Sequence, residues 1–401
     1  MLESPAPPAP APGEDAPAPA PARAAGGGGG ERPLAVTFLL KRSDLSGGVR
    51  VVRAYAERLR GRGHRVVVVS CADPPEPLLR RLKRGLKGEG WKKRPPRVPG
   101  HMDASGLPHR VLPGGRTPDA GDLPDADVLV TTWWETAEWA RGWPARKGRP
   151  LYLVQHDERV FDGITPEQRR RVEETWRLGC PKVAVAGWIA REMREAGAED
   201  VHVILNALDP ELFHAPPRPK RPVPTVGLMH SHARFKGVDV AVEAIRIARE
   251  SLPRLAVEAF GSGPLEGSLL EGLPGVTYHR QPPQDEIRGV YAACDAWLFG
   301  SRCEGFGLPI LEAMACRTPV IGTPAGAAPE LLGPPPGGEA AGLLVPMEDP
   351  AAMAEAIVRV AGMDEGRWRA LSERAHATAT RYTWDEATDL LEAQIRRVAA
   401  A

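Results

Sequence analysis

From residue 34 onward the chain alternates between two hydrophobic patterns. Leu34–Leu40 (LAVTFLL) is a continuous apolar run, the pattern of a parallel strand covered on both faces. A 3.6-residue period follows, with Val49, Val52, Ala56 and Leu59 on one face and Arg50, Arg53, Glu57 and Arg60 on the other, and Gly61 and Gly63 close it. This predicts an amphipathic helix. Arg65–Ser70 (RVVVVS) is the next apolar run, so the three segments predict a β-α-β unit. Strand patterns recur at Asp127–Thr131, Pro150–Gln155, Lys182–Ala186 and Val201–Leu205, with a helical pattern at Ile189–Ala196. A doubly wound α/β domain is expected. The stretch Arg80–Asp122, rich in Gly, Pro and charge and poor in period, reads as a long surface excursion.

The Pro-rich stretch Pro210–Pro224 interrupts the alternation, which then restarts. Strand patterns appear at Thr225–Met229, Ala256–Phe260, Ala296–Phe299, Val320–Gly322 and Gly342–Val345, and helical patterns at Val238–Arg249, Glu286–Ala293 and Pro309–Cys316. Two doubly wound domains facing a cleft are predicted, over residues 32–208 and 209–383, with a last helix over 384–401. The first 31 residues contain 8 Pro, 9 Ala and 6 Gly, a composition that cannot bury enough apolar surface to offset its ordering entropy and so predicts a disordered tail. No run approaches the roughly 20 apolar residues of a membrane span, and the N-terminus lacks the apolar core of a signal peptide. A cytoplasmic location is expected. Lys plus Arg number 52 against 51 Asp plus Glu, a balance that disfavours a protein coating a polyanion. The five cysteines, Cys71, Cys180, Cys294, Cys303 and Cys316, form no C-x-x-C pair, which argues against a disulfide framework, a zinc ribbon and an iron–sulfur site.

The densest cluster of chemistry-bearing residues is Ser301–Glu330. Glu304 precedes Gly305-Phe306-Gly307-Leu308, Pro309 stands where a helix would begin, and Glu312 falls within its first turn. Small residues let a ligand approach the backbone, and the free N–H groups of a helix start bind phosphate. Glu312 would sit close enough to accept two ribose hydroxyls. A lone pair of glutamates would more simply complement a helix dipole. Here the two have seven residues between them, flank a Gly-x-Gly, and are followed by a second glycine strand-turn, Thr318–Thr323. That combination resembles the signature of the retaining glycosyltransferases of family 4. The resemblance implies the GT-B fold, two Rossmann-like domains facing a cleft, with a nucleoside diphosphate sugar held by the C-terminal one.

The resemblance extends over most of residues 34–400. Ser46-Gly47-Gly48-Val49 is similar to the family's N-terminal glycine loop, near the donor phosphates and the acceptor, although a lone Gly-Gly after a strand also reads as a turn. Lys236-Gly237 matches the phosphate-binding Lys, and the segment around Gly261 (Glu258–Pro264) matches a strand-to-loop G-x-G turn. Tyr382-Thr383-Trp384 and the helix after it (Ala387, Leu390, Leu391, Ile395) resemble the C-terminal helix that crosses back onto the N-terminal domain. His156, in Gln155-His156-Asp157-Glu158 at the end of a predicted strand, matches a His that contacts the donor sugar near the reacting carbon. Asp157 and Glu158 read equally as helix caps. There is one departure: the family's Arg five or six residues before the Lys is Ser231 or His230 here. Arg234 either substitutes from another direction or is a solvated turn residue. Of Trp133 and Trp134, one is expected in the core and one against the acceptor.

By this resemblance the donor is held by Lys236, Arg234, Gly261, Gly305, Phe306, Gly307, Leu308 and Glu312. His156 and Glu304 are catalytic, and Gly47 and Gly48 form the acceptor and phosphate loop. No cofactor and no metal are implied, since cations and helix amides replace the metal; Asp125 and Asp127 precede their strand rather than forming a carboxylate pair at its end. The acceptor is a glycan or a lipid-linked group, in surface polysaccharide or glycolipid assembly. The segment Arg80–Arg97 holds nine Lys or Arg against Glu89, with Leu82, Leu86 and Trp91 interleaved. It fits contact with an anionic membrane at the inner face, and equally a solvated charged face, while few aromatic stacking partners disfavour nucleic acid. The turn KRSDLSGGV after the first strand lacks G-x-G-x-x-G, against a dinucleotide-dependent oxidoreductase. The changed Arg leaves a non-catalytic sugar-nucleotide-binding protein as the alternative.

Overall fold

A computed structural model describes residues 32–72, 100–103, 105–161 and 163–401. The Pro/Ala/Gly-rich tail and the basic segment Arg80–Arg97 lie outside the described residues. Two parallel sheets organise the rest. The first contains β1 (Ala35–Leu40), β2 (Arg65–Cys71), β3 (His109–Leu112), β4 (Ala126–Thr131), β5 (Lys147–Val154), β6 (Lys182–Ala184) and β7 (Val201–Val203), in the order β3-β2-β1-β4-β5-β6-β7. The second contains β8 (Thr225–His230), β9 (Ala256–Gly261), β10 (Val276–Arg280), β11 (Ala296–Phe299), β12 (Val320–Gly322) and β13 (Leu343–Leu344), in the order β10-β9-β8-β11-β12-β13. In each sheet the strand order reverses once, between β1 and β4 and between β8 and β11. At such a reversal adjacent loops leave in opposite directions and open a crevice at the carboxyl ends of the strands.

The apolar runs became strands for the expected reason: all six residues of β1 are buried, and Phe38 and Leu39 are fully so. Two strands fall where no run was legible. β3 lies in the stretch read as a surface excursion, and β10 in a stretch for which no element was expected. Both are edge strands with mostly half-exposed residues, so burial imposes no alternation on them. Asp127 lies inside β4 rather than before it, and its carboxylate accepts the Ala35 N–H at 2.7 Å.

The Pro-rich stretch contains no strand, but it is packed. Phe213 is buried against Tyr291 with ring centroids 6.2 Å apart, and the Arg218 guanidinium lies over Trp368 at 4.7 Å. The last helix, Trp384–Ala400, starts with a capping box in which Thr383 Oγ1 accepts the Glu386 N–H at 3.2 Å and Glu386 Oε2 accepts the Thr383 N–H at 2.8 Å. It returns to the first half of the chain. Trp384 meets Tyr55 edge to face at 5.2 Å, and Arg62 pairs with Asp389 at 2.7 Å and Glu392 at 2.9 Å. No helix of the described residues is long and apolar enough to cross a membrane.

Candidate active site between the two sheets

A cavity of about 650 Å³ lies where the two crevices face each other, within the range of small-molecule sites. Its N-terminal wall comes from the loop after β1, the start of the Gly47–Gly61 helix and the loop after β5. Its C-terminal wall comes from the loops after β8 and β11 and the start of the Leu308–Ala315 helix. The two helix starts nearly touch, since a Cβ on Gly47 would stand 3.4 Å from Leu308 Cδ1. Glu312, expected in the first turn, is the fifth residue of its helix because the helix starts at Leu308 and not at Pro309, so neither helix has an acidic residue in its first turn or a side-chain cap, and both present free N–H groups and positive dipole ends to the same space. Gly307 opens the second helix with φ 96°, a backbone setting that favours glycine.

The two walls also approach each other closely at Gly305. A Cβ there would fall 1.9 Å from the carbonyl oxygen of Gln155, so only glycine allows this contact. The carbonyl of Gly305 also accepts the indole N–H of Trp188, from the opposite domain, at 2.9 Å.

Two ion pairs hold the glutamates Glu304 and Glu312 in the cavity, which Lys41, Arg42, Asp44 and Glu158 also line. Glu304 is 8% exposed; its Oε1 accepts Lys236 Nζ at 2.6 Å and Ser301 Oγ at 2.9 Å. Glu312 is 5% exposed; its Oε1 accepts the Arg50 guanidinium, and its Oε2 accepts the Tyr291 hydroxyl at 2.8 Å. His156 Nδ1 lies 3.0 Å from the Asp157 carbonyl oxygen. A carbonyl only accepts, so Nδ1 carries the proton and Nε2 keeps its lone pair. Burial lowers the pKa of this imidazole below its ordinary 6.5, which keeps it neutral at neutral pH. Its Nε2 faces Cys303 Sγ at 4.0 Å, a thiol whose pKa burial pushes up to about 12. Glu158, 1% exposed, accepts the Trp134 N–H at 3.0 Å and the Tyr152 hydroxyl at 3.2 Å, and burial raises its pKa well above the usual carboxyl range.

The structure thus brings Gly47, Gly48, His156, Lys236, Glu304 and the Gly305–Leu308 loop around one cavity together with Glu312. It leaves two expected residues outside the wall. Arg234 is exposed, and Gly261 packs under the His230 carbonyl and the Tyr278 hydroxyl instead. Asp157 caps the short turn after it, accepting the Arg159 N–H at 3.0 Å. Of the two tryptophans, Trp134 is buried, while Trp133 lines the cavity and stacks on Phe161 at 5.5 Å.

Among the cavity residues not singled out in the sequence are Arg50, Gln155 and Asn206. Arg50 reads there as part of a solvated helix face. Gln155 has a buried Oε1 with no hydrogen-bond partner, and its carboxamide lies 3.3 Å from where a Gly48 Cβ would stand. Asn206 is 5% exposed, lines the cavity, and its Oδ1 is buried without a partner. A polar residue in the apolar approach to the Pro-rich stretch (VILNALDP) was the available signal for Asn206.

Comparison with known proteins agrees with this architecture. The family model described as Glycosyltransferase Family 4 matches residues 45–212, and that described as Glycosyl transferases group 1 matches residues 221–362. The D-inositol 3-phosphate glycosyltransferase of Saccharomonospora viridis is 31% identical over 315 residues, covering 69% of this chain and 71% of that one. The protein of the same description from Corynebacterium urealyticum is 28% identical over 281 residues; the match spans 58% of its length. Among solved structures, the fold matches Anabaena HepE in complex with UDP and glucose, with a TM-score of 0.68 at 16% identity over 90% of this chain and 100% of that one. Sucrose-phosphate synthase from Thermosynechococcus elongatus matches with a TM-score of 0.66 at 19% identity over 91% of this chain and 99% of that one. With two parallel α/β domains arranged as in these GT-B proteins, the chain belongs to glycosyltransferase family 4, the group 1 glycosyltransferases.

Proposed function

We propose that the cleft binds a nucleoside diphosphate sugar and transfers its hexose, with retention of configuration, to a hydroxyl of a glycan or lipid-linked acceptor. The observation that carries this reading is the pairing of the two buried glutamates with two cations beside two uncapped helix starts. Carboxylates that accept ligand hydroxyls stand there beside cations that donate to phosphate, Lys236, Glu304 and Glu312 on the C-terminal wall and Arg50 on the N-terminal one. Lys236 takes the distal phosphate, and the amides of Gly305 to Leu308 take phosphate and sugar. Glu304 holds hydroxyls of the donor sugar, Glu312 those of the ribose, and neutral His156 stands near the anomeric carbon. The leaving diphosphate develops negative charge, which preorganised N–H groups and cations stabilise; no metal ion is needed on this reading. No side chain is assigned as nucleophile, and the leaving phosphate assists the incoming hydroxyl. The acceptor enters past Gly47 and Gly48, along the wall carrying Trp133. The names of relatives, among them the O-antigen chain mannosyltransferase B of Escherichia coli, 32% identical over 114 residues, support a role in surface polysaccharide or glycolipid assembly. Such a role fits a cytoplasmic protein touching the inner membrane face through Arg80–Arg97.

The test is melting temperature against UDP, GDP, ADP and dTDP and their sugars, for the wild type and Glu312→Ala. A ligand that binds only the folded state raises the melting point, by about 2.7 kcal/mol of stability at a hundred times its Kd. Stabilisation by one nucleotide series, weakened in the variant, is expected. No response to any nucleotide at millimolar concentration would overturn the donor site. Loss of binding to anionic vesicles at low salt in a variant with the nine basic residues neutralised tests the membrane contact.

A further inference from the structure

The two ion pairs differ in one respect. Lys236 and Glu304 belong to the same half of the chain, whereas Arg50 reaches Glu312 across the cleft from the Gly47–Gly61 helix. With Arg50 on Oε1 and the Tyr291 hydroxyl on Oε2, both oxygens of Glu312 are engaged. A ribose diol that takes hydrogen bonds on this carboxylate competes with Arg50 for Oε1. A guanidinium displaced inside a half-buried cleft needs another anion, and the incoming ligand brings one. Arg50 is the fourth residue of its helix and Glu312 the fifth of the facing helix, so each lies about one turn, roughly 5 Å, from the helix starts that meet at Gly47 and Leu308. That span is within the swing of an arginine side chain. Meanwhile the positions expected to supply a second phosphate cation are Ser231 and His230, and Arg234 stands outside the cavity wall.

We propose that Arg50 is the second phosphate-binding cation of the donor site, exchanging Glu312 for the donor diphosphate when the ribose occupies that carboxylate. The proposal rests on the donor-site reading above. Its consequence is specific to the diphosphate. Lys236 and Arg50 grip the phosphates from opposite domains, so a nucleoside diphosphate draws the two walls together and a nucleoside does not.

The experiment is titration calorimetry of the wild type, Arg50→Ala and Arg50→Lys with UDP, GDP, ADP and dTDP and with the corresponding nucleosides. For the base that binds, Arg50→Ala should weaken the diphosphate by about ten- to a hundredfold, the worth of a charge-assisted hydrogen-bonded pair. The nucleoside should bind as well as before or better, because Glu312 is freed. Arg50→Lys keeps the charge without the fork and should fall between the two. If Arg50→Ala strengthens diphosphate and nucleoside alike, Arg50 is only a competitor for Glu312 and the proposal is wrong. An unchanged ratio of the two affinities in both variants overturns it equally. Failure of the wild type to bind any of the four diphosphates overturns the donor site itself, and the role of Arg50 with it.

Discussion

Gly305→Ala tests whether the observed closeness of the two domains is the working geometry. The added Cβ would lie 1.9 Å from the Gln155 carbonyl oxygen, while real Cβ atoms keep at least 3.0 Å. The loop must therefore retreat by 1.1 Å or more from the wall that carries His156. Overpacking of this kind costs about 1–3 kcal/mol, which in domains of this size lowers the melting point by no more than about 10 °C. The effect on chemistry should be larger. Glu304 is the residue before Gly305, so the donor loop and His156 would be separated by about the misplacement that costs 10²-fold in rate. Release of nucleoside diphosphate from the donor sugar, with and without acceptor, gives kcat. A drop of about 100-fold with a modest change in melting point is expected. A variant with wild-type kcat would show that the domains work further apart than this, and the assignment of His156 to the sugar would fall.

Asn206→Leu should leave the melting point unchanged or raise it, because the buried Oδ1 it removes has no partner in the protein, while transfer slows by about tenfold; a lower melting point with unchanged transfer would make Asn206 structural. Burial pushes the Glu392 carboxyl up, but hydrogen bonds from Arg62, Arg396 and His64 hold its pKa down to about 2 against an ordinary 4.5. A depressed carboxyl stabilises the fold above its ordinary range and loses that contribution as pH falls toward 2. Glu392→Gln should therefore cost about 1–2 kcal/mol at pH 7, allowing for solvent screening, and the gap in melting point should close between pH 5 and pH 2; a constant gap over that interval contradicts the assignment. For His156, burial lowers the pKa below 6.5, so the rate should be flat above pH 6.5 and fall only on the acid side; an acid limb centred above 6.5 would mean that the imidazole is not the buried neutral group described.

Most of the sheet architecture was legible because a buried parallel strand leaves a continuous apolar run. β1, with every residue buried, is the clearest instance. β3 and β10 were not legible for the converse reason, lying at sheet edges where half their residues meet water. The reversal of strand order at β1 and β8 leaves no mark in the hydrophobic pattern at all, yet it decides where the crevice opens.

The site divides along the same line between local and distant. Glu304, the glycine loop and Glu312 lie within nine consecutive residues, so their arrangement is that of one loop and one helical turn, and spacing alone carries it. Arg50, Gln155 and Asn206 acquire their meaning only across the cleft. Arg50 sits on the polar side of an amphipathic helix, where period predicts solvent, and it is the facing helix that turns this position into part of the site. Binding charge supplied from the opposite domain is invisible to a motif, because a motif records what one segment does by itself. A departure from a motif, such as Ser231 where an Arg is expected, is thus better judged by the cations that the folded chain brings to the cavity than by those nearest in sequence. Arg234 is close in sequence and exposed; Arg50 is 186 residues away from Lys236 by number, and it is the one that faces the same space.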